Sequence, residues 1–209
     1  CYNPHMKSVY VSGSIAFDSL MQTSLSLRGL SFPDTGTATH SILAESLFKN
    51  DGGTAGNIAY YLSLFGIQPK LITSVGEDAR AYLEKLSSLG ADVSLVNMVR
   101  ELNTAYSSAL TDSVGNQIFF FCPGAMSVPA YTRIDTADFA IVAPGNHADM
   151  QSLALAYAQK KIPYIFDPGQ MIHSLSADIL QGAIRGAHTV ILNEFEWGEL
   201  CRKIDTDVE

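Results

Sequence analysis

Four polar residues stand where this sequence changes from one predicted element to the next, and their side chains could do chemistry. Asp18 and Asp167 follow short apolar runs, and either carboxylate could act in acid or base chemistry. Asn193 and Glu196 lie three residues apart at the start of a predicted helix. A carboxylate in that position suits a magnesium-bound water or merely complements the helix dipole, so the spacing leaves both interpretations open.

The glycine cluster at residues 52–57 is a second chemical signal. Its sequence, Gly-Gly-Thr-Ala-Gly-Asn, lacks the Lys and Ser/Thr of a P-loop and does not match G-x-G-x-x-G. The cluster offers a flexible backbone that a ligand can approach closely, with Asn57 as a helix cap and a hydrogen-bonding side chain. A capped helix after a loose turn accounts for the same residues without a ligand.

Alternating strand and helix signals must position these residues. Apolar runs typical of buried strands occur at residues 9–11, 70–75, 139–143, 164–166 and 190–192. Helical patterns separate or follow them at residues 57–65, 78–89, 150–160, 177–184 and 195–203. This alternation predicts right-handed crossovers and a mainly parallel sheet with helices on both faces.

Each predicted strand is followed by small or polar residues, which include Ser14, Asp18, Asp167 and Asn193. Turns favour Gly, Pro, Asn and Asp in any case. Ligands of open α/β sheets bind beyond the carboxyl ends of the strands, so five such ends together favour a polar ligand with several hydroxyls.

Two stretches interrupt the alternation. Residues 17–50 show apolar alternation without a clear helix, and residues 104–122 resemble a hairpin that turns at residues 112–116. We expect the two stretches to pair as a small second sheet. Its apolar surface is larger than an isolated ribbon can hide, so the sheet must close over a ligand or pack on a partner.

Composition excludes several classes of partner. The net charge is −8 and no basic run occurs, so nucleic acid and anionic membrane are poor partners. No apolar stretch reaches the roughly 18 residues that a membrane span needs. Three widely spaced cysteines, Cys1, Cys122 and Cys201, indicate neither a disulfide framework nor a CxxC metal site, which fits a reducing cytoplasm.

Several motifs, taken in order, resemble the ribokinase-like (PfkB) carbohydrate kinases. They are the segments 13–18, 52–57, 74–78 and 193–196, and the finer motifs at 121–126 and 167–170 are most similar to the bacterial adenosine kinase branch. The resemblance implies a ribokinase-like α/β domain over residues 7–209 with a β-sheet lid formed by about 17–50 and 104–122. It also implies transfer of the ATP γ-phosphate to the 5′-hydroxyl of adenosine, with Mg²⁺.

The resemblance also implies roles for individual residues. Asp18 would accept hydrogen bonds from the ribose hydroxyls with help from Gly53 and Asn57, and Gly52-Gly53 would be the lid hinge. The nucleoside would further be approached by Ser14, Ser41, Phe121 against the base, and Gln170. Asn193 would meet the ATP phosphates and Glu196 would organise Mg²⁺ through water. A second aromatic against the base, present in the adenosine kinase branch, falls near Tyr106 or Ser107.

The family's catalytic base is an Asp in a glycine-rich segment that no residue of this sequence matches. We therefore expect these 209 residues to be the first two-thirds of a kinase and to contain no catalytic base.

The expected partners are adenosine, ATP and a second copy docked through the lid. The alternatives are another sugar or nucleoside kinase of the same fold, or a fragment that binds nucleoside without catalysis. The run Phe119-Phe120-Phe121 favours a base over a free sugar.

Overall fold

The computed structural model describes residues 8–31, 37, 39–130 and 134–204. The predicted domain limits, residues 7 and 209, lie outside the described residues. The strands are β1 (Val9–Ser12), β2 (Ala16–Thr23), β3 (Ser46–Gly52), β4 (Pro69–Ile72), β5 (Ser74–Val75), β6 (Asn97–Met98), β7 (Ala105–Asp112), β8 (Gln117–Cys122), β9 (Phe139–Val142), β10 (Tyr164–Phe166) and β11 (Thr189–Val190). The helices are α1 (Thr54–Leu64), α2 (Arg80–Ser88), α3 (His147–Lys160), α4 (Ala177–Gly186) and α5 (Glu194–Ile204).

The main sheet has five parallel strands in the order β11-β10-β9-β1-β4. The central strand β1 is buried along its whole length. Val9 and Val11 pack in the apolar cluster on the side of α1 and α2, whereas Tyr10 packs in the cluster on the side of α3 and α4. Helices therefore cover both faces of a parallel sheet, which confirms the predicted fold class.

The mixed sheet is a separate four-stranded layer with the order β3-β2-β7-β8. Its two inner strands run parallel, and each outer strand runs antiparallel to its neighbour. Residues paired across strands share a face of a sheet. One face, which we call the Asp18 face, carries the row Asn50, Asp18, Ser107 and Phe121, and the opposite Phe17 face carries the row Asp51, Phe17, Tyr106 and Cys122.

Large apolar side chains remain exposed on both faces of the mixed sheet. Leu20, Phe48 and Phe119 lie on the Asp18 face, and Leu47 and Phe120 lie on the Phe17 face. The apolar surface expected for a small second sheet is thus present. Among the described helices, none combines the length and the apolar character needed to cross a membrane.

Two element boundaries differ from the sequence prediction. The expected strand at 70–75 is divided at Thr73, because β5 leaves the main sheet to pair with β6. Helix α1 begins at Thr54, not at Asn57, and Gly53 holds the N-cap position. The Ser14 hydroxyl accepts a hydrogen bond from the Thr54 N–H (3.0 Å), and the Ser14 carbonyl accepts one from the Ala55 N–H (2.9 Å). This cap comes from a residue distant in sequence, so no local signal indicates it.

Candidate functional site

The carboxyl ends of β1 and β9 meet the N-terminus of α1. The Pro144 carbonyl, just after β9, accepts hydrogen bonds from the Ser14 N–H (2.9 Å) and from the Thr54 hydroxyl (2.8 Å). Ser14 is buried, and its hydroxyl lies 3.2 Å from the Thr54 hydroxyl in addition to capping α1. The side chain of Ser14 thus joins three elements below the predicted nucleoside site.

Asp18 and two of its neighbours form a polar group on the mixed sheet. The Ser107 hydroxyl donates a short hydrogen bond to Oδ1 of Asp18, and Phe121 is paired with Ser107 on the same face. The Asp18 carboxylate lies over Gly52, where a Cβ would overlap its Oδ2. The structure therefore places Asp18, Ser107 and Phe121 in one row across the mixed sheet, with Gly52 beside the Asp18 carboxylate.

The strand register decides which residue stands at the predicted position of the second aromatic. Ser107 lies on the Asp18 face, whereas Tyr106 lies on the Phe17 face with Phe17 itself. A ring on Tyr106 cannot stack opposite Phe121 from the far side of the same sheet. The Asp18 face therefore carries one aromatic of the predicted pair, and a hydroxyl replaces the other.

Gly53 and Asn57 lie at the same end of α1. Gly53 has a φ of 86°, and a Cβ there would come within 2.5 Å of the Ser14 carbonyl oxygen, so the position requires glycine. The N–H of Asn57 donates to the Gly53 carbonyl (3.0 Å), which puts Asn57 in the first turn of the helix. Its side chain is exposed, so the predicted capping role is wrong and the side chain is available to a ligand.

A cavity of about 430 Å³ opens beside Asp18. Its other lining residues are Phe17, Lys49, Asn50, Asp51, Lys85 and Tyr106. We expected a pocket around Asp18 lined by Ser14, Gly53, Asn57 and Phe121, and this cavity lies instead mostly against the Phe17 face. The mixed sheet therefore separates it from Phe121.

Asn193 and Glu196 cap helix α5 reciprocally. Asn193 Oδ1 accepts a hydrogen bond from the Glu196 N–H (2.8 Å), and Glu196 Oε2 accepts one from the Asn193 N–H (3.0 Å). This arrangement is a capping box, in which two otherwise unpaired donors are satisfied. Neither interpretation of the Asn-x-x-Glu spacing from the sequence included this reciprocal cap, and Glu196 Oε1 has no partner among the described residues.

Asp167 is a functional candidate whose electrostatic interaction with Glu196 the sequence does not reveal. Burial raises the pKa of Asp167, and the charge of Glu196 raises it further, while the N–H of Gly169 offsets part of the increase. The two carboxylates therefore interact electrostatically beyond the ends of β10 and β11. Their strand-end positions were the available signal, but only the fold reveals that they are neighbours.

The last two predicted residues, Ser41 and Gln170, make no hydrogen bond to Asp18 in the described part of the chain. Ser41 is exposed and lies two residues before Leu43, whose carbonyl accepts a hydrogen bond from Thr23 at the opposite end of β2 from Asp18. Gln170 is exposed in the 3₁₀ turn Gly169–His173, beside Asp167. Nucleoside contacts by Ser41 and Gln170 stay predictions.

Comparison with known proteins identifies the protein family of the chain. The model of the pfkB family of carbohydrate kinases matches residues 15–209. A nucleoside kinase of Methanothermobacter thermautotrophicus is 29% identical over 205 residues, which cover 94% of this chain and 63% of that protein. This chain thus spans about two-thirds of the length of the curated relatives it matches.

Solved structures agree with this assignment. The nucleoside kinase of Burkholderia thailandensis in complex with inosine is 30% identical, with a TM-score of 0.79 over 95% of this chain and 65% of that one. The Methanocaldococcus jannaschii nucleoside kinase, an archaeal member of the ribokinase family, is 24% identical with a TM-score of 0.81, over 97% of this chain and 66% of that one. The second likeness shows the fold alone.

Proposed function

The chain belongs to the pfkB family of carbohydrate kinases, and on that premise we propose that its protein is a nucleoside kinase that phosphorylates the 5′-hydroxyl of adenosine to AMP in purine salvage. The observation that carries the proposal is the row of Asp18, Ser107 and Phe121 beside the Gly52-Gly53 backbone. A carboxylate suits the sugar hydroxyls, and an exposed ring suits a base. We place this activity in the cytoplasm.

Each residue of that row has a chemical role in the proposal. Asp18 accepts hydrogen bonds from two vicinal ribose hydroxyls, and Ser107 holds the carboxylate in the required orientation. Phe121 packs against the base, and Asn57 adds an amide from the first turn of α1. The mixed sheet acts as a lid hinged at Gly52-Gly53, which excludes water from the transferring phosphoryl group.

The phosphate donor in the proposal is ATP, with Mg²⁺ beside Asp167 and Glu196. The charge of Glu196 raises the pKa of Asp167, and carboxylate oxygens are hard donors that suit Mg²⁺. Mg²⁺ bound there neutralises charge on the phosphates, and Asn193 binds a phosphate oxygen beside the α5 N-terminus. Glu196 keeps one oxygen in the helix cap, so its other oxygen would be available to hold Mg²⁺ through water.

Two rival functions keep support from particular observations. The Burkholderia relative was solved with inosine, so a broader nucleoside kinase is the first rival. A fragment that binds nucleoside without catalysis is the second. The resemblance assigns the catalytic base to a glycine-rich segment that these 209 residues do not match, and we propose that they supply binding groups but no base.

Calorimetry on the 209-residue chain tests the proposal. We expect adenosine and inosine to bind and free ribose to bind far more weakly. Asp18→Asn should weaken nucleoside binding by about 10- to 100-fold, because the amide NH₂ group would face a ribose hydroxyl that itself donates a hydrogen bond. Asp92→Asn is the matched control, since this carboxylate pairs with Lys70 beside the opposite end of the sheet.

Mixing the same chain with Mg²⁺-ATP and adenosine tests whether these residues lack a catalytic base. We expect no measurable AMP, because general-base catalysis alone is worth about 10² to 10⁴ in rate. Robust AMP formation would place the base within residues 1–209. Equal binding of ribose and nucleosides, or unchanged binding by Asp18→Asn, would contradict the assigned site.

A further inference from the structure

The phenol of Tyr82, on α2, contacts the root of the mixed sheet. Its hydroxyl donates a hydrogen bond to the Gly52 carbonyl (3.1 Å), and its ring lies 6.2 Å from the ring of Phe17, measured between centroids. Its hydroxyl also lies against Gly56 of α1, where a Cβ would come within 2.2 Å of the phenol oxygen. One buried side chain thus touches β2, β3 and α1 where they meet.

The next turn of α2 strengthens this contact. Lys85 Nζ lies 2.9 Å from Asp51 Oδ2 and 5.9 Å from the centroid of the Tyr60 ring. Tyr82 and Lys85 therefore hold Gly52 and Asp51, the last two residues of β3. The proposed hinge begins directly after them, so α2 fixes the backbone that enters the hinge.

Peptide geometry links the Tyr82 hydrogen bond to the site. A planar trans peptide directs its C=O and its N–H to opposite sides. Because the Gly52 carbonyl points to Tyr82, the Gly53 N–H must point away from α2. In the described part of the chain no acceptor takes this N–H, and Asp18 lies over the neighbouring Gly52.

We propose that Tyr82 is a positioning residue, whose hydroxyl orients the Gly52–Gly53 peptide so that the Gly53 N–H donates to a sugar hydroxyl bound by Asp18. The inference rests on the proposed function for the identity of the ligand. Burial raises the pKa of Tyr82, and Asp51 and Asp18 raise it further, so its hydroxyl stays protonated and remains a donor. Tyr82 itself touches no reacting atom.

Three variants separate positioning from folding. Tyr82→Phe keeps the ring against Phe17 and removes only the hydroxyl. Gly56→Ala keeps the Tyr82 side chain, but the added methyl group displaces its hydroxyl from the Gly52 carbonyl. Alanine itself favours the helix, so this substitution does not weaken α1 through helix propensity. Tyr164→Phe is the matched control, because its buried hydroxyl donates to the Ala183 carbonyl between β10 and α4.

The measurement is calorimetric binding of adenosine, 2′-deoxyadenosine and 3′-deoxyadenosine to the 209-residue chain. We expect Tyr82→Phe and Gly56→Ala to weaken adenosine binding by about 3- to 10-fold. Loss of the 2′- or the 3′-hydroxyl of adenosine carries a penalty in binding affinity. In both variants this penalty should be smaller than in the wild-type chain by the same factor. Tyr164→Phe should lower Tm and leave that penalty unchanged. An unaltered penalty in Tyr82→Phe, or an equal change in Tyr164→Phe, would overturn the inference.

Nuclear magnetic resonance tests the geometry without a ligand. We expect the Gly52 carbonyl carbon and the Gly53 amide to shift in Tyr82→Phe and to stay in place in Tyr164→Phe. Unchanged Gly52 and Gly53 signals in Tyr82→Phe refute the positioning role. If the wild-type chain binds no nucleoside, the proposed function fails and donation to the sugar fails with it. Shifted signals would then still support orientation of this peptide by Tyr82.

Discussion

Asp167 illustrates how a single residue can lower the stability of the fold at neutral pH. Its carboxylate is partly buried and feels the charge of Glu196, and both features raise its pKa above that of an exposed aspartate. The folded chain therefore holds this proton more tightly than the unfolded chain does. Stability is lost as the pH rises from about 3.8, the unfolded value, through the folded pKa, and the full loss persists at neutral pH.

Replacing Asp167 by Asn should raise Tm at pH 7, because the amide carries no charge to repel Glu196. At a pH below 3.5 the two proteins should melt at similar temperatures, since Asp167 is then protonated in both states. Excess Mg²⁺ should raise the Tm of the wild-type chain and have little effect on the variant. Thermal unfolding followed by circular dichroism measures all three effects.

Asp178→Asn provides the control for this experiment, since Asp178 is exposed in the first turn of α4. We expect it to respond to Mg²⁺ as the wild-type chain does. A lower Tm for Asp167→Asn at pH 7 would show that Asp167 stabilises the fold, and the proposed cation site would lose its support.

Among the elements, the β7–β8 hairpin depends on one carboxylate at its turn. Oδ1 of Asp112 accepts hydrogen bonds from the N–H groups of Val114 (3.1 Å) and Asn116 (2.8 Å). Oδ2 accepts from the Asn116 amide (2.8 Å) and from the Leu27 N–H (3.0 Å). The Asn116 side chain, and then these backbone donors, lower the pKa of Asp112 to about 2.

Acid should therefore weaken the hairpin in a defined range. Asp112 stabilises the folded chain above about pH 3.8, and this contribution is lost as the pH falls towards about 2. Asp112→Asn should lower Tm at pH 7 and flatten the fall of Tm across that range. Melting curves from pH 5 to 2 provide the measurement, with Asp178→Asn as a control that keeps the wild-type slope. An unchanged slope in Asp112→Asn would exclude this role.

The elements also show what sequence reasoning can reach. Strand runs and helical patterns predicted the parallel sheet, because apolar periodicity is a local property of the chain. The cap of α1 by Ser14 and the approach of Asp167 to Glu196 join residues that are distant in sequence, so no local pattern reports them. The choice between Tyr106 and Ser107 depended on strand register, and a shift of one residue would exchange their faces.

At the scale of the whole molecule, the mixed sheet keeps large apolar side chains exposed on both faces among the described residues. Phe120 on the Phe17 face is 65% exposed, and Leu47 lies exposed on the same face. The Asp18 face is committed to the nucleoside in our proposal. The Phe17 face is therefore the surface through which we propose that a second copy docks.

Phe120→Asp should weaken this association, because a charge would replace an apolar contact between two copies. We expect sedimentation of the wild-type chain to show a concentration-dependent dimer and the variant to sediment as a monomer. Phe65→Asp is the matched control, since Phe65 is 71% exposed beside the end of α1. Loss of the dimer in Phe65→Asp alone would move the interface to α1.

The parallel pairing of β2 with β7 sets an order of events during synthesis. Asp18 and Ser107 are 89 positions apart, so the ribosome completes β1, β3 and both helices of the first half before β2 can gain its second neighbour. Until then β2 and β3 form a two-stranded ribbon, which is marginal in water. The surface that we propose to hold the sugar is consequently incomplete until this slow long-range closure has taken place. A nascent chain that stalls before residue 105 carries Asp18 and Gly52-Gly53 without Ser107, the residue that orients the Asp18 carboxylate.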